Sequence, residues 1–413
     1  MKKIIAMLLA CMMVIGMFAA CAPAEDDTPK EAEKITLTVW GPQADQGENG
    51  NGWLQAMCKK FDEAHPEWEI TFEYGVCSEG DAATNVGKDP EAAADVFFYA
   101  NDQIGTLLQS NALAQFGGDY EKAIKADNSE SMINSVTYTD GGIYGVPFTG
   151  NTWFLYYNKN TYSAEDVKSL ETMLQKGKVA FNLGDAWYLA SFYVANGGTL
   201  FGASGSDAKA GIQFGGANGE AVTNYIVDMV ANPNFIADNN NEVGVGLMAE
   251  GKCDAFFSGT WKAEAAKEAL GENYAAAQLP TITIGGQQKQ LRSFAGSKCI
   301  GVNPNCKNMQ AALALAVFLG SAEAQLAHYE FNGIIPCALS LAGNETIAKD
   351  PAALAQMNTI ANTSVLQPTI AEMGTYWAPA GNMGAEFLNG TITHANAADK
   401  TAAFQTAINN TGL

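Results

Sequence analysis

The run DVFFYANDQIGTLL, Asp95 to Leu108, decides the fold. Val96 to Tyr99 are consecutive bulky apolar residues, too few for a helix and suited to a buried strand. Asn101 or Asp102 then offers a side-chain oxygen to cap a helix through Ile104, Leu107 and Leu108. Upstream, Ile35 to Trp40 alternates around Leu37 and Val39, Trp53 to Ala64 repeats at helical spacing, and Trp68 to Tyr74 is a second strand. Strands alternating with helices predict an α/β protein with a largely parallel sheet covered by helices on both faces.

Downstream the pattern continues and then restarts. Pro147 to Lys159 reads as one long strand with Trp153, Leu155 and Tyr157 alternating. Helix 164–177, strand 179–183, helices 185–195 and 219–231 and strand 254–258 follow, with a further helix from near Gly259. Arg292 to Val302 is again extended. Helices 309–319 and 322–331 come next, and a helical C-terminal part begins at Pro351 and turns at Gln367 and Pro368. A chain of 413 residues exceeds one ordinary core, so two lobes are expected.

Composition narrows the function. Net charge is −21, and −23 once the first twenty residues with their two lysines are set aside. Such a surface repels phosphate backbones and anionic headgroups, so nucleic acid and electrostatic membrane binding are excluded as partners. Charged residues are only 16% of the chain, and Arg292 is the sole arginine. Without guanidinium clamps a binder of acidic small molecules is disfavoured.

Residues 1–20 read as an address: Lys2 and Lys3, then an apolar run from Ile4 to Ala20. Phe18-Ala19-Ala20-Cys21 resembles a bacterial lipobox, which implies a signal peptide over 1–20 and diacylglyceryl attachment at Cys21. An ordinary signal peptide or an uncleaved span is the alternative. Residues 21–34, rich in Asp, Glu, Pro and Ala, read as a flexible tether, so the folded part is extracytoplasmic and touches the cell membrane only through its anchor. Cys58, Cys77, Cys253, Cys299, Cys306 and Cys337 remain, with no CxxC spacing and with His65, His328 and His394 scattered, so neither a metal nor another cofactor is expected. Cys58 shares a helical stripe with Leu54, Met57 and Phe61 and reads as a buried thiol.

Signatures for a serine nucleophile elbow, a zinc protease, a phosphate loop and an EF-hand are absent from the sequence. Aromatic residues instead stand at strand ends: Tyr99, Trp187, Trp261, Tyr376 and Trp377. Asp102, Asp185, Asn151 and the pair Asp45-Gln46 lie in loops directly after strands. Open α/β sheets bind ligands there, and aromatic faces beside carboxylates and amides suit a pyranose, whose C–H patch is apolar and whose rim is hydroxylated. A structural role competes for each residue, since Asp102 and Asp185 are good helix caps and any one tryptophan can be core. Trp40, Trp53, Trp68 and Trp153 read as packing.

Taken in order, ITLTVW (Ile35 to Trp40), ADVFFYAND (Ala94 to Asp102), GIYGVPFTGNTWFLYYNK (Gly142 to Lys159), FNLGDAWY (Phe181 to Tyr188), FFSGTW (Phe256 to Trp261), FLGSAEAQLAHYEFNGIIP (Phe318 to Pro336) and IAEMGTYW (Ile370 to Trp377) resemble the extracellular solute-binding proteins of sugar ABC transporters, within them the maltose/maltodextrin-binding proteins. The resemblance implies a two-lobed type II periplasmic-binding-protein fold with a ligand cleft and three hinge crossovers, near Asn151, Ala295 to Lys298 and Cys337 to Leu341. It places 35–150 with 297–338 in one lobe and 151–296 with 339–413 in the other.

By position it makes Trp261 and Trp377 stacking platforms, with Trp187 and Tyr188 in the aromatic segment, Tyr99 in place of a tryptophan, and Asp102 as a hydroxyl-binding aspartate. Departures lie in charged contacts: Gln103 stands for an arginine, Asn151 and Asp185 for glutamates, and Gln46 for the lysine after Asp45. The implied function is a monomeric, non-enzymatic receptor for a neutral oligosaccharide, maltose or maltodextrin first, serving an ABC permease and its ATPase. A receptor for another neutral oligosaccharide, a secreted carbohydrate-active enzyme with Asp102 and Asp185 as acid and base, and a polysaccharide adhesin are the rivals.

Overall fold

The computed structural model describes residues 32–202, 205–239 and 243–410. The signal peptide, Cys21 and almost all of the tether lie outside the described residues.

Two mixed sheets organise the chain. In the six-stranded sheet, Glu33–Gly41 pairs in parallel with Trp68–Val76 and with Val96–Ala100. Every residue of Val96–Ala100 is buried, as its unbroken apolar run requires of a central strand. The strand Ser293–Val302 then runs antiparallel to Val96–Ala100 and to Val146–Asn151, while its first three residues pair in parallel with Ser364–Leu366. The five-stranded sheet has the order Tyr274–Ala277, Phe154–Asn158, Ala255–Ser258, Val179–Phe181, Phe235–Ala237.

The expectation of largely parallel sheets is thus corrected to mixed ones. Ser293–Val302 returns from the other half of the molecule and enters the first sheet from its opposite end, and Phe154–Asn158 is antiparallel to both its neighbours. The single long strand expected from Pro147 to Lys159 is two strands in different sheets, Val146–Asn151 and Phe154–Asn158, parted at Thr152 and Trp153. Alternation across both strands hides the break, because Trp153 is itself fully buried. The strand Ser364–Leu366 and the hairpin Thr281–Ile284 with Gln287–Gln290 escape the sequence pattern. The hairpin turns on Gly285 and Gly286, both at positive φ.

The apolar contacts fall into separate cores. One gathers Leu37, Val39, Leu54, Phe97, Phe98, Phe148, Cys299, Ile300 and Leu315. The second sheet has a core on each face: Leu155, Tyr157, Val179, Phe181 and Phe257 point to one, and Phe154, Tyr156, Ala180 and Phe256 to the other. Membership changes between Phe148 and Trp153, between Phe294 and Cys299, and between Ala324 and Ile335. The helix Trp53–Ala64 turns Trp53, Leu54, Met57, Cys58 and Phe61 inward, and burial pushes the Cys58 thiol up to about 12. All six cysteines among the described residues are free.

Candidate functional site

A cavity of about 530 Å³ opens where the two halves meet. It is lined by Gly80, Ala100, Asp102 and Gln103 from the first half, by Asp185, Trp187 and Trp377 from the second, by Asn151 at one crossing, and by Gln367, whose N–H donates to the Ala295 carbonyl beside another. Each polar wall is set by a local rule. After the buried strand Val96–Ala100 the chain makes a 3-10 turn, Asn101–Gln103, before the helix Ile104–Gln109. Asn101 turns inward, and its Oδ1 accepts the Ser297 N–H at 3.1 Å, close enough to Gly296 that any Cβ there would overlap it. Asp102 is thereby left facing the cavity.

Asp185 caps the helix Ala186–Ala195, its Oδ1 accepting from the Trp187 N–H at 2.9 Å. The capping role weighed against a ligand role is therefore real, and both hold at one residue, because Asp185 also lines the cavity. Trp187 donates its indole N–H to Gln367 Oε1 at 2.8 Å, which fixes the ring. Trp377 packs edge-on against Phe294 and Tyr376, with centroids at 6.2 and 5.3 Å, and stays half-buried.

Several expected site residues lie elsewhere. Tyr99, Tyr188 and Tyr376 are fully buried core. Tyr99 donates to the Tyr144 carbonyl at 3.1 Å, Tyr188 stacks on Trp153 at 4.7 Å, and Tyr376 donates to the Ala186 carbonyl at 2.8 Å. Each sits on a regular element whose period turns it away from the cavity while its sequence neighbour, Ala100, Trp187 or Trp377, faces it.

Asp45 and Gln46 are also structural here. Asp45 Oδ1 meets His328 Nε2 at 2.8 Å and accepts from Asn332 Nδ2 at 2.7 Å, and His328 stacks on Trp53 at 3.9 Å. The Gln46 amide donates to the Gly41 and Gly75 carbonyls, each at 2.8 Å. Trp261 is 41% exposed, stands 6.1 Å from Trp187 and is outside the cavity lining. Lys298 Nζ lies 5.9 Å above its ring and pairs with Glu79 Oε1 at 3.1 Å.

The sequence reading missed Gln367, Gly80, Lys298 and Glu79 as neighbours of the site. Gln367 looked like the residue of a turn before Pro368, and nothing in a sequence marks a turn glutamine as 3% exposed. Gln103 stands where the resembled family has an arginine. Its amide is committed to the loop opposite, accepting from Ala83 N at 2.6 Å and donating to the Glu79 and Gly80 carbonyls at 3.0 and 2.6 Å.

Both cavity carboxyls are shifted upward. Burial pushes Asp102 up to about 6, opposed in part by its own backbone and by the Gln367 amide, and burial likewise raises Asp185 against the Trp187 N–H. The Gln367 Nε2 draws on Asp102 without completing a hydrogen bond of normal geometry. If a ligand hydroxyl donates to Asp102, protonating the carboxyl removes the charge that strengthens that bond. Affinity should then fall about tenfold between pH 7 and pH 5, following a single group near pH 6. Calorimetric titration across that range checks it, and a flat profile would remove Asp102 from direct contact.

A family profile described as bacterial extracellular solute-binding protein matches residues 56–355. The chain is 28% identical to the galactooligosaccharide-binding protein of Bacillus subtilis, over 97% of this chain and 96% of the relative. It is 26% identical to a maltooligosaccharide ABC transporter solute-binding lipoprotein of Streptococcus pneumoniae, over 89% and 88%. Among solved structures, one of a protein with acarbose is 50% identical, covers 92% of this chain and 100% of its own, and superposes with a TM-score of 0.88.

Proposed function

The chain belongs to the bacterial extracellular solute-binding protein family, and from that premise we propose that it captures a neutral oligosaccharide, an α-glucan first, for an ABC importer. The observation that carries this reading is the composition of one cavity wall against the other. Carboxylates and amides from both halves face a space bordered by the indole rings of Trp187 and Trp377. Hydroxyls need such partners at the rim of a sugar, and its C–H face needs the aromatic surface.

The relatives named for maltooligosaccharide and galactooligosaccharide, and the structure with acarbose, support the oligosaccharide class and leave the linkage to experiment. Closure of the two halves about the three crossings would bring both walls onto the sugar and present one surface to the permease and its ATPase. The receptor acts as a monomer in this scheme. Trp187 and Trp377 take the stacking role, Asp102, Asp185 and Asn151 receive hydroxyls, and Trp261 serves a longer ligand at the rim.

Titration against maltotriose, cellotriose and β-1,4-galactotriose tests the reading, with product analysis after long incubation. Tight binding of maltotriose without hydrolysis is expected. Catalytic turnover would replace the receptor with the enzyme rival, and no binding to any of the three would end the oligosaccharide reading.

The anchor at Cys21 is proposed from the lipobox resemblance and from the lipoprotein name of the pneumococcal relative. Cys21→Ala should shift the protein from the membrane fraction to the medium and abolish incorporation of labelled palmitate. An unchanged distribution would favour an uncleaved span.

A further inference from the structure

Three side-chain amides line the cavity, and they differ in what they have left to give. Gln103 is spent on backbone groups at both ends. Asn151, at the end of its strand, is half-buried. Gln367 is 3% exposed, with its backbone N–H held by the Ala295 carbonyl at 2.9 Å and its Oε1 taking the Trp187 indole N–H, while its Nε2 is drawn toward Asp102 without completing a hydrogen bond of normal geometry.

The orientation of that amide is decided by Trp187. An indole N–H can only donate, so the Gln367 atom facing it is the oxygen, and the NH2 group lies on the Asp102 side of the amide. Asn101 and Asn182 also bury unpaired amide nitrogens, but neither lines the cavity. An ionised Asp102 beside it can only accept. The cavity therefore holds, side by side, one group that only accepts and one whose NH2 only donates. The complementary ligand has a donor and an acceptor on adjacent atoms, which is what two neighbouring hydroxyls on a pyranose provide.

We propose that Gln367 contacts the ligand and, with Asp102, reads a vicinal pair of sugar hydroxyls: Gln367 Nε2 donates to one oxygen and Asp102 accepts the hydrogen of its neighbour. This rests on the oligosaccharide reading and sharpens it to a substrate requirement. A sugar lacking either hydroxyl leaves a buried polar group unpaired, and sites of this kind reject such analogues strongly. Gln367 has a second duty, since it also positions Trp187.

The test separates the two duties. Wild type, Gln367→Met and Gln367→Glu are titrated with maltotriose and β-1,4-galactotriose and with monodeoxy derivatives at adjacent carbons of each ring. Wild type should discriminate at least tenfold against removal of either member of one vicinal pair. Gln367→Met should lose discrimination at one of the two positions and keep it at the other. Gln367→Glu, which keeps an acceptor for Trp187 but has no donor when ionised, should lose discrimination at the same position as Gln367→Met, with unchanged indole fluorescence. Equal weakening of all ligands with discrimination intact in both variants would overturn the proposal and leave Gln367 as a support for Trp187 alone. Failure of the wild type to bind either parent trisaccharide would overturn the oligosaccharide reading together with this proposal.

Discussion

Trp377→Ala is expected to weaken oligosaccharide binding by about 1 to 3 kcal/mol, roughly 5- to 150-fold. The ring is half-buried against Phe294 and Tyr376 and shares the cavity wall with Trp187, so truncation removes a platform that is already ordered before a sugar arrives. An immobile platform loses little entropy on binding, which is why its removal costs affinity directly. Isothermal titration gives the number, and thermal unfolding without ligand must remain cooperative for it to be read as a site effect. Trp261→Ala makes the internal comparison. Its ring is exposed, outside the cavity lining and beside the Lys298 ammonium, so a loss below about threefold is expected for a trisaccharide. Unchanged affinity in Trp377→Ala would withdraw the platform assignment.

Asp102→Asn should move affinity and stability in opposite directions. Loss of a charge-assisted hydrogen bond to a hydroxyl costs about 1.5 to 3 kcal/mol of binding. For stability, the folded-state pKa of Asp102 is raised from 3.8 to about 6, so the native state holds this proton more tightly than the unfolded chain. Its favourable contribution is fully present below pH 3.8 and is lost as pH rises through about 6, where the enclosed carboxylate must carry its charge. The amide carries none. At pH 7.5 the variant should therefore unfold a few degrees higher than wild type, at pH 4 it should show no such advantage, and its sugar affinity should no longer depend on pH near 6. A lower melting temperature at pH 7.5 would mean that Asp102 supports the fold through its charge.

Much of this was legible in the residues. Val96 to Tyr99 prescribes a buried strand, and the strand ends did bring Asp102, Asn151, Asp185, Trp187 and Trp377 to one cavity, but the expected cap from Asn101 or Asp102 is not made, since Asn101 Oδ1 takes the Ser297 N–H and neither the turn nor the helix after it has a side-chain cap. What failed was the choice between neighbours. Tyr99, Tyr188 and Tyr376 are aromatic, adjacent to cavity residues and one step out of phase with them, and a one-residue difference on a strand or helix changes the surface a side chain reaches. Asp45 and Gln46 failed for another reason. Their partners, His328 and the carbonyls of Gly41 and Gly75, are brought by folding, and His328 is distant in the chain from Asp45. Gln367 carried no sequence signal because its importance comes from what surrounds it.

The strand Ser293–Val302 passes through both halves while hydrogen-bonded along its length, to Ser364–Leu366 at one end and to Val96–Ala100 and Val146–Asn151 at the other. Its residues are buried almost throughout, with Lys298 the exception. A flexible link between halves would permit any relative motion; this one keeps a ladder partner on at least one flank throughout. A sharp bend within Lys298 to Ile300 would break ladder bonds on both flanks, whereas from Ala295 to Ser297 the strand is paired on one flank only and its partner changes from Ser364–Leu366 to Val146–Asn151. If the halves close on a sugar as proposed, the twist is therefore concentrated at Ala295 to Ser297, where the ladder changes partner, and the doubly paired Lys298 to Ile300 moves with the first half.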